Sequence, residues 1–114
     1  MLSYLFSWFQ NEPVSPAVVS KVEGLIKANK IVVFSKSYCP YCTQTKQLLS
    51  QLGASDVNVI ELNQVSDGAA MQDALQQLTG QRTVPNTFIG QNHIGGNSEL
   101  QQMHRANKLV PMLG

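Results

Sequence analysis

The sequence lacks most of what marks a charged, stapled or membrane-spanning protein. Only 13% of its residues are Asp, Glu, Lys or Arg, and eight basic side chains nearly cancel seven acidic ones. A net charge of +1 argues against a protein held to nucleic acid or anionic lipid by bulk electrostatics. No apolar run reaches the ~18 residues of a membrane-spanning helix, and no internal repeat or low-complexity tract is visible. Cysteine is scarce: Cys39 and Cys42 are the only two. A disulfide-stapled scaffold needs more of them, spread along the chain.

What is present is an ordinary globular composition. The chain has 114 residues, 43% of them hydrophobic, which suits one domain with one real core. Residues 1–14 read as an apolar extension and residues 15–114 as the domain. The extension carries Leu2, Tyr4, Leu5, Phe6, Trp8 and Phe9. It lacks the basic start of a secretory signal, the first Lys being Lys21, and the Arg and Ser richness of a presequence. The expectation is a cytoplasmic protein whose aromatic tail docks on its own domain. Contact of residues 1–12 with a membrane or a partner is the lesser alternative.

From Ser15 onward the periodicities predict alternating elements. Ser15-Pro16 caps a helix carrying Val18, Val22, Leu25 and Ile26. Lys30 to Ser35 is a short β-branched run, as in a buried strand. Cys39 opens a helix with Thr45, Leu48, Leu49 and Leu52 inward, ended by Gly53. Val57 to Leu62 forms a second strand, and Ser66 or Asp67 caps a helix with Met71, Ala74, Leu75 and Leu78 inward. Asn86 to Ile89 and His93-Ile94 pair as a hairpin through Gly90-Gln91-Asn92. Asn97 or Ser98 caps a last helix through Leu100, Met103 and Leu109. The order predicts an α/β fold, a four-stranded mixed sheet with helices on both faces, whose first two strands are parallel.

Cys39-Pro40-Tyr41-Cys42 falls where a strand turns into a helix. A thiol there faces the positive end of the helix dipole and unpaired backbone N–H groups, and both favour thiolate. Lys36 adds a cation nearby, and Pro40 costs nothing at a first helical position. Cys42, inside the first turn, is less exposed, which makes Cys39 the nucleophile and Cys42 the resolving thiol. Two other roles compete. A zinc site needs two further ligands, and the only histidines, His93 and His104, lack the usual spacing, so no metal is expected. A structural disulfide closing so small a loop removes little chain entropy. Redox chemistry is the stronger reading.

Three blocks of sequence resemble the dithiol glutaredoxins: Ser35-Lys36-Ser37-Tyr38-Cys39-Pro40-Tyr41-Cys42, Gly80-Gln81-Arg82-Thr83-Val84-Pro85, and Ile94-Gly95-Gly96-Asn97-Ser98. They arrive in that family's order, and the similarity runs from about Val18 to Leu113. The resemblance implies a thioredoxin fold, glutathione as reductant and co-substrate, and glutathionylated or disulfide-bonded proteins as partners. It implies a cis-proline turn at Thr83-Val84-Pro85, whose Val84 backbone would pair with glutathione beside Cys39. Gly96, Asn97 and Ser98 would take the γ-glutamyl carboxylate on helix N-terminal amides. Lys36, Gln72 and Arg82 match positions that contact the glycyl end, and Tyr41 would line the sulfur site. One departure is Glu99, where many members carry Asp; a change at the helix start is expected, not loss of binding. The implied activity is reduction of protein–glutathione mixed disulfides through Cys39 and of protein disulfides through both cysteines, in a monomer. The alternative is a dimer holding a glutathione-ligated [2Fe–2S] cluster. A thioredoxin-like enzyme would instead carry Trp before the first Cys and Gly-Pro between the pair.

Overall fold

Five short helices and four strands follow one another in the computed structural model, which describes residues 14–114. The aromatic-rich start falls outside the described residues. Helix α1 spans Pro16–Ala28 and strand β1 spans Ile31–Ser35, followed by α2 (Pro40–Gln51) and β2 (Val57–Glu61). Then come α3 (Gly68–Thr79), β3 (Asn86–Ile89), β4 (Asn92–Gly95), α4 (Asn97–Arg105) and α5 (Val110–Leu113). The sheet order is β2-β1-β3-β4, with β1 parallel to β2 and the other pairs antiparallel. This is the four-stranded mixed sheet, helices on both faces, of the thioredoxin fold.

The β-branched run of β1 is central because every one of its residues is buried. Its alternation divides the core in two. Val32 and Phe34 face α1 and α3, meeting Val22, Met71, Ala74, Leu75 and Phe88. Phe34 and Phe88 stack edge to face, centroids 6.0 Å apart. Ile31 and Val33 face the other way, against Leu48 and Leu49 of α2 and Leu100 of α4. Val14, counted above with the extension, packs on the α1/α3 side.

Ser15 and Asp67 hold the N-cap positions expected of them without side-chain cap bonds, and other local expectations are corrected. Ser15 sits at the N-cap of α1, yet its hydroxyl makes no cap bond. Its own carbonyl already accepts the Val18 and Val19 N–H groups at 3.1 Å, so the donor a cap would take is used. Asp67 caps α3 by position only, because its carboxylate is held by Lys21 Nζ at 2.7 Å. Leu78, read as inward, is 38% exposed, since it lies in the last turn of α3 and lines a solvent-open cavity with Ile26 and Phe88. Asn92 belongs to β4, pairing with Ile89, so the turn is Gly90-Gln91 alone, both with positive φ. Leu109 is not on α4. That helix stops at Arg105, Asn107 turns left-handed at φ 60°, and Leu109 then enters the core ahead of α5.

Gly68, at the start of α3, is a point of close approach. A Cβ built there would lie 1.7 Å from the Leu62 carbonyl oxygen.

Candidate active site

The loop after β1 is pinned before it reaches the first cysteine. Asn63, just beyond β2, accepts the Ser37 N–H at 2.9 Å and donates to the Ser37 hydroxyl at 2.6 Å. The Cys39 N–H donates to the Lys36 carbonyl at 3.0 Å, closing a turn. Cys39 is thereby placed at the N-cap of α2 with Pro40 in the first helical position. Its sulfur fills the role that Ser or Asp plays elsewhere, accepting the Cys42 N–H at 3.3 Å. An anionic sulfur in that position receives a charge-assisted hydrogen bond and the positive end of the helix dipole.

The two thiols are unequal. Both are free, and they approach each other to 2.8 Å. Cys39 is half-buried, whereas Cys42 is wholly enclosed at 0% exposure. Burial pushes the Cys42 thiol above its ordinary value, and the Cys39 sulfur beside it acts in the same direction. The Lys36 backbone and the Ser35 side chain offset part of this. Cys42 is a protonated thiol at neutral pH, and Cys39 is the sulfur that an incoming disulfide meets.

A groove of about 500 Å³ opens beside Cys39. It is lined by Tyr41, 63% exposed, by Thr83, Val84 and Pro85, and by Gly96, Asn97, Ser98 and Glu99 at the start of α4. The Val84-Pro85 peptide is cis, and the Val84 carbonyl oxygen lies 3.8 Å from Cys39 Sγ. The α4 wall is displaced by one residue from expectation, because the N-cap is Gly96 and Asn97 is the first helical residue. Two forces set that start. Glu99 reaches back so that its carboxylate accepts the Gly96 N–H at 2.9 Å. Asn97, meanwhile, is occupied by α2: its Oδ1 accepts the Thr45 hydroxyl at 3.0 Å, and its Nδ2 donates to Gln44 at 3.0 Å. The backbone N–H groups of Asn97 and Ser98 are left with no intrahelical acceptor, as at any helix start.

Lys36, Gln72 and Arg82 do not line this groove. Gln72 Nε2 donates to the Arg82 carbonyl at 2.8 Å, and the Arg82 guanidinium is paired with Asp73. Lys36 is half-buried and makes no ion pair with a described residue. Among the described residues, no three of His, Cys, Asp and Glu gather as a metal-ligand group. A second cavity, about 440 Å³ with Ile26, Leu78, Phe88 and His93 in its lining, lies on the α1/α3 side and contains no thiol. The sequence offered no role for Asn63 or Gln44, placed Thr45 only on the inward stripe of its helix, and held Gln81 only as part of a motif. Polar residues that brace a loop from a distance carry no local spacing signal.

A buried and an accessible thiol facing each other across the first turn of a helix, on this sheet, define a dithiol thiol–disulfide oxidoreductase of the thioredoxin fold. The comparisons carry this one step further. The family model described as Glutaredoxin matches residues 31–94. A glutaredoxin from Vernicia fordii is 56% identical over 93 residues, covering 82% of this chain and 88% of that one. The crystal structure of a buckwheat glutaredoxin–glutathione complex superposes with a TM-score of 0.83 at 55% identity, over 85% of this chain and 87% of that one. That of the holo form of glutaredoxin C1 from Populus tremula x tremuloides gives 0.83 at 47% identity, over 85% and 95%. The chain belongs to the glutaredoxin family, and it is a glutathione-dependent thiol oxidoreductase.

Proposed function

We propose that the chain reduces protein–glutathione mixed disulfides through Cys39 alone and protein disulfides through Cys39 and Cys42 together. The inequality of the two thiols carries this reading: one is accessible at a helix N-cap, the other enclosed and held protonated.

In the first route the Cys39 thiolate attacks the glutathione sulfur of the mixed disulfide. A bond forms between the two sulfurs, the substrate–glutathione bond breaks, and the substrate leaves as a thiolate that takes a proton from water. The thiolate of a second glutathione then attacks the sulfur now joined to Cys39. Oxidised glutathione departs and the Cys39 thiolate is restored, so one molecule of glutathione supplies the net reduction. In the second route Cys39 opens a protein disulfide, and Cys42, after losing its proton, attacks the Cys39 sulfur to release the other substrate thiol. Two glutathiones then reduce the Cys39–Cys42 bond. Burial disfavours the Cys42 thiolate, so the glutathione route stands ahead of it at neutral pH.

Glutathione itself fits the groove. An extended tripeptide can pair with the Val84 backbone as an added strand, while the N-terminal amides of α4 at Asn97 and Ser98 face its γ-glutamyl carboxylate. Lys36, Gln72 and Arg82 are assigned to the glycyl end. Lys36 is the cation of that group without a carboxylate partner among the described residues, so its charge is the one left for the ligand. The test is turnover of a glutathionylated peptide, coupled to glutathione and its reductase. Cys39→Ser abolishes turnover, and Cys42→Ser keeps much of it while losing the reduction of a protein disulfide. Near-normal turnover by Cys39→Ser overturns the reading.

A further inference from the structure

The wall of the groove that faces Cys39 is a short irregular segment, residues 80–85, with no strand or helix of its own. Three of its six carbonyls are nevertheless tied by side-chain amides. Gln72 Nε2 takes the Arg82 oxygen at 2.8 Å. Gln81 Nε2 takes two, the Thr83 oxygen and the Pro85 oxygen, each at 3.0 Å. Gln81 is anchored in turn, since its N–H donates to the Thr79 hydroxyl at 3.1 Å, and that hydroxyl donates to the Leu75 carbonyl at 2.7 Å. A chain of bonds thus runs from the last turn of α3, through Gln81, to the carbonyls of both residues that flank Val84. The Val84 carbonyl has no amide of this kind and is the one aimed at the Cys39 sulfur, 3.8 Å away.

We infer that Gln81 is a positioning residue: its side-chain amide clamps the carbonyls on either side of Val84 and so presents the Val84 peptide to the glutathionyl half of the substrate. A primary amide is suited to this because its two N–H groups can each meet one carbonyl. Gln81 is half-buried, so those bonds are partly shielded from water. Without it, the Thr83 and Pro85 oxygens turn to water and the Val84 peptide loses its fixed orientation. This leaves the thiol chemistry untouched and weakens recognition of the tripeptide, a cost that falls on binding and not on attack. The inference rests on glutathione occupying the groove.

The test uses the full chain, wild type and two variants, Gln81→Ala and Gln81→Glu. Two substrates are compared, one peptide thiol capped by glutathione and the same thiol capped by mercaptoethanol. Gln81→Ala is expected to raise KM for the glutathionylated peptide about tenfold, the size of two lost hydrogen bonds. The mercaptoethanol-capped peptide and the rate of Cys39 alkylation by iodoacetamide should not change. Gln81→Glu keeps the shape and replaces the donors by oxygens facing two carbonyls, so it is expected to be worse than Ala. Wild-type KM in Gln81→Glu overturns the inference, since shape alone would then suffice. Equal losses on both substrates, or slowed alkylation, also overturn it, because the damage would be general. Wild type that does not prefer the glutathionylated peptide removes the glutathione reading itself, and this inference with it.

Discussion

Adding one methyl group at Gly68 is expected to destabilise the domain, although alanine is the better helix former. The new Cβ would stand 1.7 Å from the Leu62 oxygen and 2.7 Å from the Leu62 carbonyl carbon, where ordinary contact begins at 3.4 Å. Leu62 cannot yield cheaply. Its N–H donates to the Ser35 carbonyl at 2.8 Å, and its side chain is buried in the α1/α3 core. The start of α3 must instead lift away, and with it Met71, Ala74 and Leu75. A gap of about 0.5–1 Å already forfeits a quarter to a half of the contact energy along such a face. Overpacking of this kind costs about 1–3 kcal/mol, and Gly68 is the first helical residue, so the roughly 0.5–1 kcal/mol that a mid-helix glycine costs does not offset it in full. For a domain of this size a loss of that order lowers Tm by about 4–24 °C. Gly24→Ala is the control, being mid-helix in α1 with nothing within 4 Å of the added atom. It should stabilise by about 0.5–1 kcal/mol. Thermal and urea unfolding of both variants make the measurement. A Gly68→Ala protein that melts with or above Gly24→Ala refutes the steric argument.

Two further outcomes are expected. His93 is partly desolvated over Phe88, with Nε2 sharing a hydrogen bond with Asn86 Oδ1 at 2.8 Å, and burial holds its pKa below the ordinary 6.5. The unfolded chain therefore takes up a proton first as pH falls, so stability is full above about 6.5 and declines below it. The nearby Glu99 charge opposes the shift without reversing it. Denaturant unfolding between pH 5 and 8 should show a slope that His93→Gln flattens; an unchanged slope assigns it to other groups. Thr45→Val removes the buried hydroxyl that Asn97 accepts, at similar volume, and should cost about 1–2 kcal/mol in urea unfolding. A value near zero would mean that Gln44, together with Gln101, whose Nε2 also donates to Asn97 Oδ1 at 3.3 Å, holds Asn97 unaided.

Much of this architecture is written in local patterns. The five-residue run of β1 announced a buried strand because burial on both faces demands apolar residues at consecutive positions. The cysteine spacing announced its own chemistry, since position relative to a helix start decides which sulfur is exposed. What stayed hidden depends on partners far away in the chain. Asp67 has the side chain of a cap, yet Lys21, from α1, takes its carboxylate. Asn97 is an equally good cap on paper, but Thr45 and Gln44 of α2 take its amide, and the cap moves to Gly96. The Glu99 departure becomes intelligible only through the same displacement. The longer acid reaches the Gly96 N–H, over two glycines that leave it room: a Cβ on Gly95 would sit 2.8 Å from its carboxylate oxygen. Gln81 acts on Thr83 and Pro85, close in sequence, but only the folded turn shows that both carbonyls converge on it.

Among the described residues the sheet ends in two edge strands, β2 and β4, and neither offers a neighbouring molecule an inviting template. On one side β2 is five residues long, with its charged end, Glu61, tied to Lys46 at 3.1 Å. On the other, β4 is four residues long and carries Asn92 and His93 outward. Its register with β3 slips between Thr87 and Phe88, so that Ile94 falls opposite no residue and the strand bends toward Gly95. Brevity, polar side chains and a bulge are the devices by which a sheet avoids recruiting strands from other molecules. The bend that delivers Gly96 and Asn97 to the groove is thus also a guard against aggregation. For the proposed reduction of disulfide-bearing proteins, margins to which an opened chain cannot zip would confine the encounter to the groove.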